Sequence, residues 1–464
     1  MKKAVAKKLA WINLFLFGTV LTVMGVLFLV LPTHRVSEVE KRKLSEFPSF
    51  SAKSFFSGKF TDSLDMYVAD QFPMREEFVT ISFAIAEHRG IRDEKVKFYQ
   101  ASDLKKTEPA LTPGKADSVA DTSATTAAAI ADSSGATGDG GDIVSNMLIY
   151  NGMAIQFFGG NNKMARVYAE AINKFQEALK GKATIYDIVV PSTSDLYMPD
   201  EYRKQSASEK KNIDAIYSFL DPGIKSVDAY TPMMAHKDEY LFFNTDHHWT
   251  GTGAYYAYSA FCAKAGMTPV QFSQCERKVK KNWLGSLYQL SRDQRLRENP
   301  DSAVYYKIPG PYKTWRYLDT NIDKGIPTSL YAEHGAGYGV FLGGDFPLLK
   351  VETEKQTGRS VVIIKNSFGN AFSPYFVYNF DKVYVIDYRY FNHSLVDFVT
   401  KNGITDVVFL NNSFSANTSW HIHRIEKLLK GGSPTVPKPD SAKTKSPADT
   451  TKKKPIDSLK PKPE

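Results

Sequence analysis

The chain has 464 residues, of which 42% are hydrophobic and 13% aromatic, so it is long and apolar enough to build a large domain with additions. Its formal net charge of +9 belongs to the two ends: four lysines within the first eight residues supply +4, and residues 431–464, with eight lysines and four acids, supply another +4. Only about +1 remains for everything between, which argues against the broad basic surface of a nucleic-acid-binding protein.

The first predicted element is a membrane anchor. Residues 9–31 form an uncharged, largely apolar run of 23 residues, which is long enough to cross a bilayer as a helix. A cleaved signal peptide would have a shorter apolar core and a small-residue cleavage site, whereas this run leads directly into Pro32. Lysines before the run favour a cytoplasmic segment at 1–8. We therefore expect a single-pass membrane protein whose body is extracytoplasmic.

The remaining chain divides into segments of different composition. Residues 32–100 are ordinary folded sequence with large apolar residues every three to four positions, as in a helix that packs on the body. Residues 101–142 are rich in Ala, Ser, Thr, Gly and Asp, which predicts a flexible insertion. Residues 143–430 form the main domain, within which 271–350 is a predicted insertion because it lacks clear periodicity. Residues 431–464, with seven prolines, predict a disordered tail.

The main domain alternates helices and strands in the manner of an α/β fold. Helices are predicted at 163–180, 251–265 and 395–402, and strands at 184–190, 360–365, 382–387 and 406–410. The part from 360 to 410 is therefore β-α-β-α-β, with right-handed crossovers. We expect a parallel sheet covered by helices.

The two cysteines, Cys262 and Cys275, leave two alternatives open. Outside the cytoplasm they can form one disulfide, and equally well they can be two buried thiols. Two cysteines do not make a metal framework, and neither has a sequence neighbour that suggests a nucleophile.

The string Asp246-His247-His248-Trp249 is the most informative for chemistry, and it lies directly before a predicted helix with Thr250 as its N-cap. In an extended segment residues two apart project to one side, so Asp246 and His248 can act on one site while His247 points away. A carboxylate beside a histidine suits a hydrolytic triad because it fixes the tautomer and steadies the imidazolium. Two alternatives remain: a metal site, although adjacent side chains rarely converge, and satisfied polar residues under the core.

The second candidate is Ser367, which follows the predicted strand 360–365 and opens a predicted helix. A serine at such a turn is exposed at the carboxyl edge of the sheet, where open α/β folds bind ligands. The neighbouring backbone N–H groups and the helix N-terminus can stabilise an oxyanion. An ordinary N-cap serine is the alternative.

Smaller indications come from the residues around these two elements. Arg389 and Asn411 end the next two strands, so either can donate hydrogen bonds to substrate or to an oxyanion, as can Asn366 beside the serine. Arg389 can equally pair with Asp387. Trp249 is expected to pack beside the histidine more than to contact substrate.

Together these elements resemble the DHHW protein family, whose name spells residues 246–249. The resemblance also covers KRKLSEFP at 41–48, DQFPMR at 70–75 and Asn366-Ser367-Phe368. That family is similar to the alginate O-acetylation proteins, in which an SGNH-hydrolase-like domain transfers acetyl to exported polysaccharide. The resemblance implies an SGNH-hydrolase-like (flavodoxin-like) α/β fold with a parallel sheet and helices on both faces. Those relatives usually have Asp before the nucleophile, where this chain has Asn366.

By the same resemblance Ser367 is the nucleophile, His248 the base and Asp246 its orienter, and Arg389 has a substrate or oxyanion role. The implied activity is O-acetyl transfer to a polysaccharide acceptor, without metal or cofactor, beside a multi-spanning membrane O-acyltransferase that delivers the acetyl group. A carbohydrate esterase would use the same residues. A catalytically silent polysaccharide-binding or assembly protein is the other alternative, because 25 Tyr and 30 Phe suit sugar stacking as well as core packing.

Overall fold

The computed structural model describes residues 2–33, 36–37, 42–75, 77–78, 81, 96–100, 146–318, 324–335 and 337–431. The predicted insertion at 101–142 and the predicted tail beyond residue 431 lie outside the described residues.

Among the described residues of the N-terminal part, the structure gives the bounds of three helices and three short strands. In chain order they are α1 (Lys2–Val30), β1 (Val36–Ser37), β2 (Arg42–Lys43), α2 (Ala52–Phe56), α3 (Lys59–Asp70) and β3 (Val96–Tyr99). Within α1, Trp11–Val30 is long and apolar enough to cross a membrane and is not buried, which fits a membrane anchor or a signal sequence. No residue of α2 or α3 is buried, and the predicted packing of 32–100 on the main domain stays a prediction.

The main domain carries the remaining elements. Its strands are β4 (Met147–Tyr150), β5 (Met153–Gln156), β6 (Thr184–Val190), β7 (Lys225–Ser226), β8 (Glu276–Trp283), β9 (Asp301–Lys307), β10 (Tyr312–Tyr317), β11 (Ile326–Thr328), β12 (Leu348–Thr353), β13 (Ser360–Lys365), β14 (Lys382–Asp387) and β15 (Asp406–Asn412). Its helices are α4 (Asn162–Leu179), α5 (Thr193–Tyr197), α6 (Asp200–Arg203), α7 (Glu209–Phe219), α8 (Tyr230–Ala235), α9 (Gly251–Ala265), α10 (Ser286–Ser291), α11 (Gln294–Arg297), α12 (Gly369–Phe372), α13 (Leu395–Lys401), α14 (Ser413–Ala416) and α15 (Ser419–Lys427). Short 3₁₀ helices lie at Phe272–Gln274, Gly337–Val340 and Ser373–Tyr378.

An eight-stranded sheet in the order β11-β10-β12-β14-β13-β15-β6-β7 forms the centre of this domain. From β14 to β7 neighbouring strands run parallel, whereas β11, β10 and β12 pair antiparallel and extend the sheet beyond β14. The sheet is therefore mixed, where we predicted a parallel one. The added edge comes largely from residues 271–350, and such antiparallel edges are common on otherwise parallel sheets.

Helices cover both faces of the sheet because successive strand residues point to opposite sides. Val361 and Ile363 of β13 join the core that contains Phe261 of α9. The intervening Val362 joins the opposite core, which contains Phe175 of α4. The arrangement leaves the carboxyl ends of β13, β14 and β15 at one edge, and the turn after β13 carries Ser367 to that edge.

The two cysteines are both free thiols. Cys262 is buried in α9, and Cys275 is partly exposed after the 3₁₀ turn at Phe272–Gln274.

Candidate active site

The DHHW string occupies one side of a tight hairpin-like loop. Phe242 and Trp249 form an antiparallel bridge, and the Phe243 N–H donates to the His248 carbonyl at 3.2 Å. This closure puts residues 244–247 at the tip of the loop. Asp246 and His248 consequently meet on one side, as the spacing of two predicts, but His247 does not point away, because its Nδ1 lies 3.8 Å from Asp246 Oδ1.

Helix α9 starts immediately after this loop, and its first turn lies very close to neighbouring backbone. Thr250 is the N-cap, as predicted, and its hydroxyl accepts from the Gly253 N–H. A Cβ on Gly251 would lie 2.7 Å from the Val304 carbonyl oxygen, and one on Gly253 would lie 2.5 Å from the Leu241 carbonyl oxygen. Only glycine at both positions lets the helix start this close to the hairpin and to β9.

Three buried side chains form a continuous hydrogen-bonded row. Asp246 Oδ1 lies 2.6 Å from His248 Nδ1, and His248 Nε2 lies 2.7 Å from the Ser367 hydroxyl. With the Nδ1 proton directed at the carboxylate, Nε2 is free to accept the hydroxyl proton. The structure thus brings together residues 119 positions apart in the spacing that a nucleophile, a general base and an orienting carboxylate require.

Asp246 is held as an anion by its surroundings. Its Oδ1 also accepts the His248 N–H at 3.0 Å, and its Oδ2 accepts the Ser286 N–H at 2.7 Å. Burial alone raises the pKa of Asp246, but His248, His247 and these hydrogen bonds more than offset it, so the pKa lies well below its usual range. Asp246 is therefore charged and fixed in orientation at neutral pH.

Asp301, at the start of β9, supports the hairpin from the other side. Its carboxylate accepts the Asn244 N–H at 2.6 Å, the Thr245 N–H at 2.9 Å and the hydroxyls of Thr245 and Tyr240. The Thr245 hydroxyl in turn accepts the Gly285 N–H at 2.8 Å. The backbone just before Asp246 is thereby tied to two other parts of the chain.

Tyr338, in the 3₁₀ turn Gly337–Val340, completes the surroundings of the histidine. Its ring stacks on His248 with centroids 3.9 Å apart and an interplanar angle of 9°. Its hydroxyl lies 2.8 Å from the Ser367 carbonyl oxygen and 3.1 Å from that of Phe368. One side chain therefore contacts both the imidazole and the backbone that carries the serine.

A buried ion cluster lies at the same sheet edge and contains Arg389. Lys365 pairs with Asp345 at 2.9 Å and with Asp387 at 2.8 Å, and Arg389 pairs with both carboxylates at 2.7 Å. Asn370 donates to Asp345 at 2.9 Å. Against the effect of burial, the two cations hold the pKa of Asp345 well below its usual range. Arg389 thus pairs with Asp387, as the sequence allowed, and with a second carboxylate besides.

The other predicted contact residues are buried and hydrogen-bonded within the protein. The Trp249 indole N–H donates to the Phe368 carbonyl at 2.8 Å. The Asn366 amide donates to the Ser415 hydroxyl at 2.8 Å, while its oxygen accepts the Phe368 N–H at 3.1 Å. Asn366 thereby shapes the turn on which Ser367 lies.

Asn411, on β15, joins a different buried group. Its amide donates to the Tyr168 hydroxyl at 3.0 Å, and that hydroxyl donates to Asp187 at 2.8 Å. Burial raises the pKa of Asp187 to about 7.

The alternative of a metal site concerns three neighbouring residues of the DHHW string. Asp246, His247 and His248 each offer a ligand atom, all within 4.8 Å of one another, and among the described residues they are the one such group. Both ring nitrogens of His248 already pair with Asp246 and Ser367, and His247 Nδ1 lies 2.7 Å from the Ser286 hydroxyl. An ion bound by these atoms would replace the bonds that form the row.

Sequence reasoning missed Tyr338, Asp301 and Gly285. All three come from residues 271–350, where no periodic pattern marks an element. A tyrosine, an aspartate and a glycine in such a stretch carry no local signal of a distant partner.

Comparison with known proteins gives one family. A sequence model described as DHHW protein matches residues 40–103 and 116–386. A solved DHHW family protein from Eubacterium siraeum DSM 15702 is 32% identical, with a TM-score of 0.57, and the match covers 62% of this chain and 96% of that one. No curated protein matches the sequence.

More remote solved structures include two with lower scores. Bacillus cereus PatB1 is 19% identical over 58% of this chain and 95% of that one, with a TM-score of 0.47. The O-acetyltransferase domain of Pseudomonas putida AlgJ is 13% identical over 57% of this chain and 90% of that one, with a TM-score of 0.32.

Proposed function

The chain belongs to the DHHW protein family, and from that premise we propose that it is an extracytoplasmic O-acetyltransferase acting on a cell-surface or exported polysaccharide. The observation that carries the proposal is the row from Asp246 through His248 to Ser367, with distances of 2.6 and 2.7 Å. A serine hydroxyl is a weak nucleophile until a base takes its proton, and this row supplies a base and a group that orients it.

The proposed first half-reaction acylates Ser367. As the Ser367 oxygen bonds to the carbonyl carbon of an acetyl ester, its proton moves to His248 Nε2. The tetrahedral intermediate then breaks the bond to the leaving oxygen, which takes that proton from His248. Asp246 steadies the imidazolium between these two transfers.

The second half-reaction passes the acetyl group on. An acceptor hydroxyl gives its proton to His248 and bonds to the acetyl carbon, and the Ser367 oxygen leaves with the proton. If water is the acceptor, the same steps make an esterase. The predicted substrate or oxyanion roles of Arg389, Asn366, Asn411 and Trp249 stay part of this proposal, although the donor groups of Asn366, Asn411 and Trp249 already bond within the protein.

The proposed setting is the outer face of a membrane. We assign α1 as an uncleaved anchor with residues 1–8 in the cytoplasm, and residues 143–430 as an SGNH-hydrolase-like domain outside. The run Trp11–Val30 supports the anchor. Such an anchor would keep the domain close to a multi-spanning O-acyltransferase that delivers acetyl groups across the membrane.

The test uses the purified full-length chain in detergent with 4-nitrophenyl acetate and oligosaccharide acceptors. Release of 4-nitrophenolate is followed by absorbance, and free acetate, acetylation of the acceptor and any acetyl adduct on the protein are followed by mass spectrometry. Ser367→Ala and His248→Ala should abolish turnover, and the wild-type adduct should map to Ser367. The matched controls are Ser218→Ala and His236→Ala, which alter exposed side chains of the same types.

Each contrary outcome has a definite meaning. Turnover that survives Ser367→Ala would show that another group is the nucleophile. Acetate release without acceptor acetylation would make the protein an esterase. The absence of both turnover and adduct would favour a polysaccharide-binding or assembly protein.

A further inference from the structure

The segment that follows α1 exposes a cluster of phenylalanine rings. Phe47, Phe50, Phe55 and Phe56 are 47% to 86% exposed, and Phe60 lies among them. We call these five residues the phenylalanine cluster. Phe50 contacts the rings of Phe55 at 6.0 Å and Phe60 at 5.3 Å, and Phe55 contacts Phe56 at 5.5 Å, so most of the rings form one continuous patch.

No core among the described residues accounts for this patch. Neither α2 nor α3 has a buried residue, and within the described residues 44–75 only Pro73 is buried. Soluble monomers seldom leave a contiguous apolar patch uncovered, and such patches mark contact surfaces. The rings therefore need a partner with an apolar component.

The charges within the cluster point to the chemistry of that partner. Lys53 and Lys59 are the charged residues between Phe47 and Thr61, a stretch without acids. Aromatic rings combined with lysines suit the headgroup region of a bilayer, where rings reach the acyl boundary and ammonium groups meet lipid phosphates. A protein groove would not by itself require the lysines.

The position of the cluster indicates the bilayer surface that it contacts. Phe28, in the last turn of α1, contacts the ring of Tyr67 at 6.0 Å, and Tyr67 contacts Phe47 at 5.3 Å. The ring of Tyr67 therefore links the cluster to the end of Trp11–Val30, the run that is long enough to cross a bilayer. A spanning helix ends at the level where a bilayer changes from acyl chains to headgroups.

We propose that the phenylalanine cluster, with Lys53 and Lys59, is a second membrane contact that lies in the outer headgroup region beside α1. It holds α2 and α3 against the bilayer. The anchor alone would hold the chain at one point, whereas this contact adds a second point at the membrane surface before the chain reaches the main domain. This membrane contact is separate from the proposed transferase activity.

The experiment uses the full-length chain in lipid nanodiscs that contain anionic lipid, with tryptophan fluorescence as the probe. Phe56→Trp is made in a Trp11→Phe background, and the emission of that background is subtracted. Lipids brominated in the acyl chains should quench Trp at position 56 by about half or more, and aqueous acrylamide should quench it weakly. Phe98→Trp, an exposed ring on β3, is the matched control and should show the opposite pattern.

Further measurements separate membrane contact from exposure to water and from burial by protein. Quenching of Trp11 itself, taken as wild type minus Trp11→Phe, reports insertion of α1 independently of the cluster. Adding Lys53→Glu and Lys59→Glu should reduce bromolipid quenching at position 56. Strong quenching by acrylamide would overturn the proposal, because the ring would then lie in water. Protection from both quenchers would also overturn it, because the ring would then be covered by protein.

Discussion

Replacement of Gly285 by alanine tests whether the position of Asp246 governs the site. A Cβ at residue 285 would lie 2.2 Å from Asp246 Cβ and 2.6 Å from its Oδ2. The backbone there has φ −88° and ψ −167°, a conformation that alanine adopts without strain. The added methyl group therefore acts on Asp246 and not on the local backbone.

The expected effect on activity is large and the effect on stability moderate. To relieve the contact the carboxylate must move, which breaks its 2.7 Å bond from the Ser286 N–H and its alignment with His248. Loss of the orienting carboxylate lowers kcat by about 10⁴-fold in a triad, so partial displacement should cost about 10²- to 10⁴-fold. Overpacking of this kind lowers the free energy of unfolding by about 1–3 kcal/mol.

Initial rates with 4-nitrophenyl acetate and thermal unfolding measure the two effects. Gly159→Ala is the control, because a Cβ there has no atom within 4 Å. Asp246→Asn alone should reach a similarly low kcat, and adding it to Gly285→Ala should lower kcat little further, since both changes remove one interaction. A kcat of Gly285→Ala within about twofold of wild type, or two losses that multiply, would show that the position of Asp246 does not govern the site.

Three further predictions concern buried groups. Tyr338→Phe keeps the ring over His248 but loses the hydroxyl contacts to the backbone, and should lower kcat about tenfold at unchanged KM; Tyr338→Leu should in addition displace the pH–rate profile. Because burial raises the pKa of Asp187 from 3.8 to about 7, its contribution to stability is full below pH 4 and lost as pH rises through 7. Urea unfolding at several pH values should show this loss of unfolding free energy, at most ~4 kcal/mol, in the wild type and not in Asp187→Asn. Lys365→Met leaves the buried Asp387 and the partly exposed Asp345 with one cation fewer and should lower the free energy of unfolding by about 3–5 kcal/mol, and an unchanged melting temperature would contradict this.

The central sheet could be predicted because its strands are buried on both faces. Such strands are continuous apolar runs, and those at Thr184–Val190, Ser360–Lys365 and Lys382–Asp387 have the predicted bounds. The α/β class was predicted from these stretches, whereas the family was predicted from the DHHW string and the shorter motifs, and it is confirmed. The antiparallel edge was missed because β10 and β11 are half-exposed and carry no comparable run.

The candidate site could be predicted only where its geometry is local. Asp246 and His248 are two residues apart in an extended loop, and Ser367 follows a clear strand, so each is marked by its immediate neighbours. Tyr338 meets His248 through a contact that spans 90 positions of chain, which no local pattern encodes. Arg389 looked available for substrate because its second carboxylate, Asp345, lies on a remote loop. Its catalytic role, like those of the row, stays a prediction.

The support that residues 271–350 give to the site also bears on how activity is lost when the protein unfolds. This segment is part of the fold itself, because β10 and β12 pair in the central sheet and Tyr338, Val340 and Phe341 join the same hydrophobic core as Val361 of β13. Parts of a protein that share one core open as one cooperative unit. On heating, catalytic activity and the circular dichroism of the sheet should therefore be lost together. Catalytic rate would then report the folded fraction of the whole domain, and refolding would restore activity and secondary structure in step.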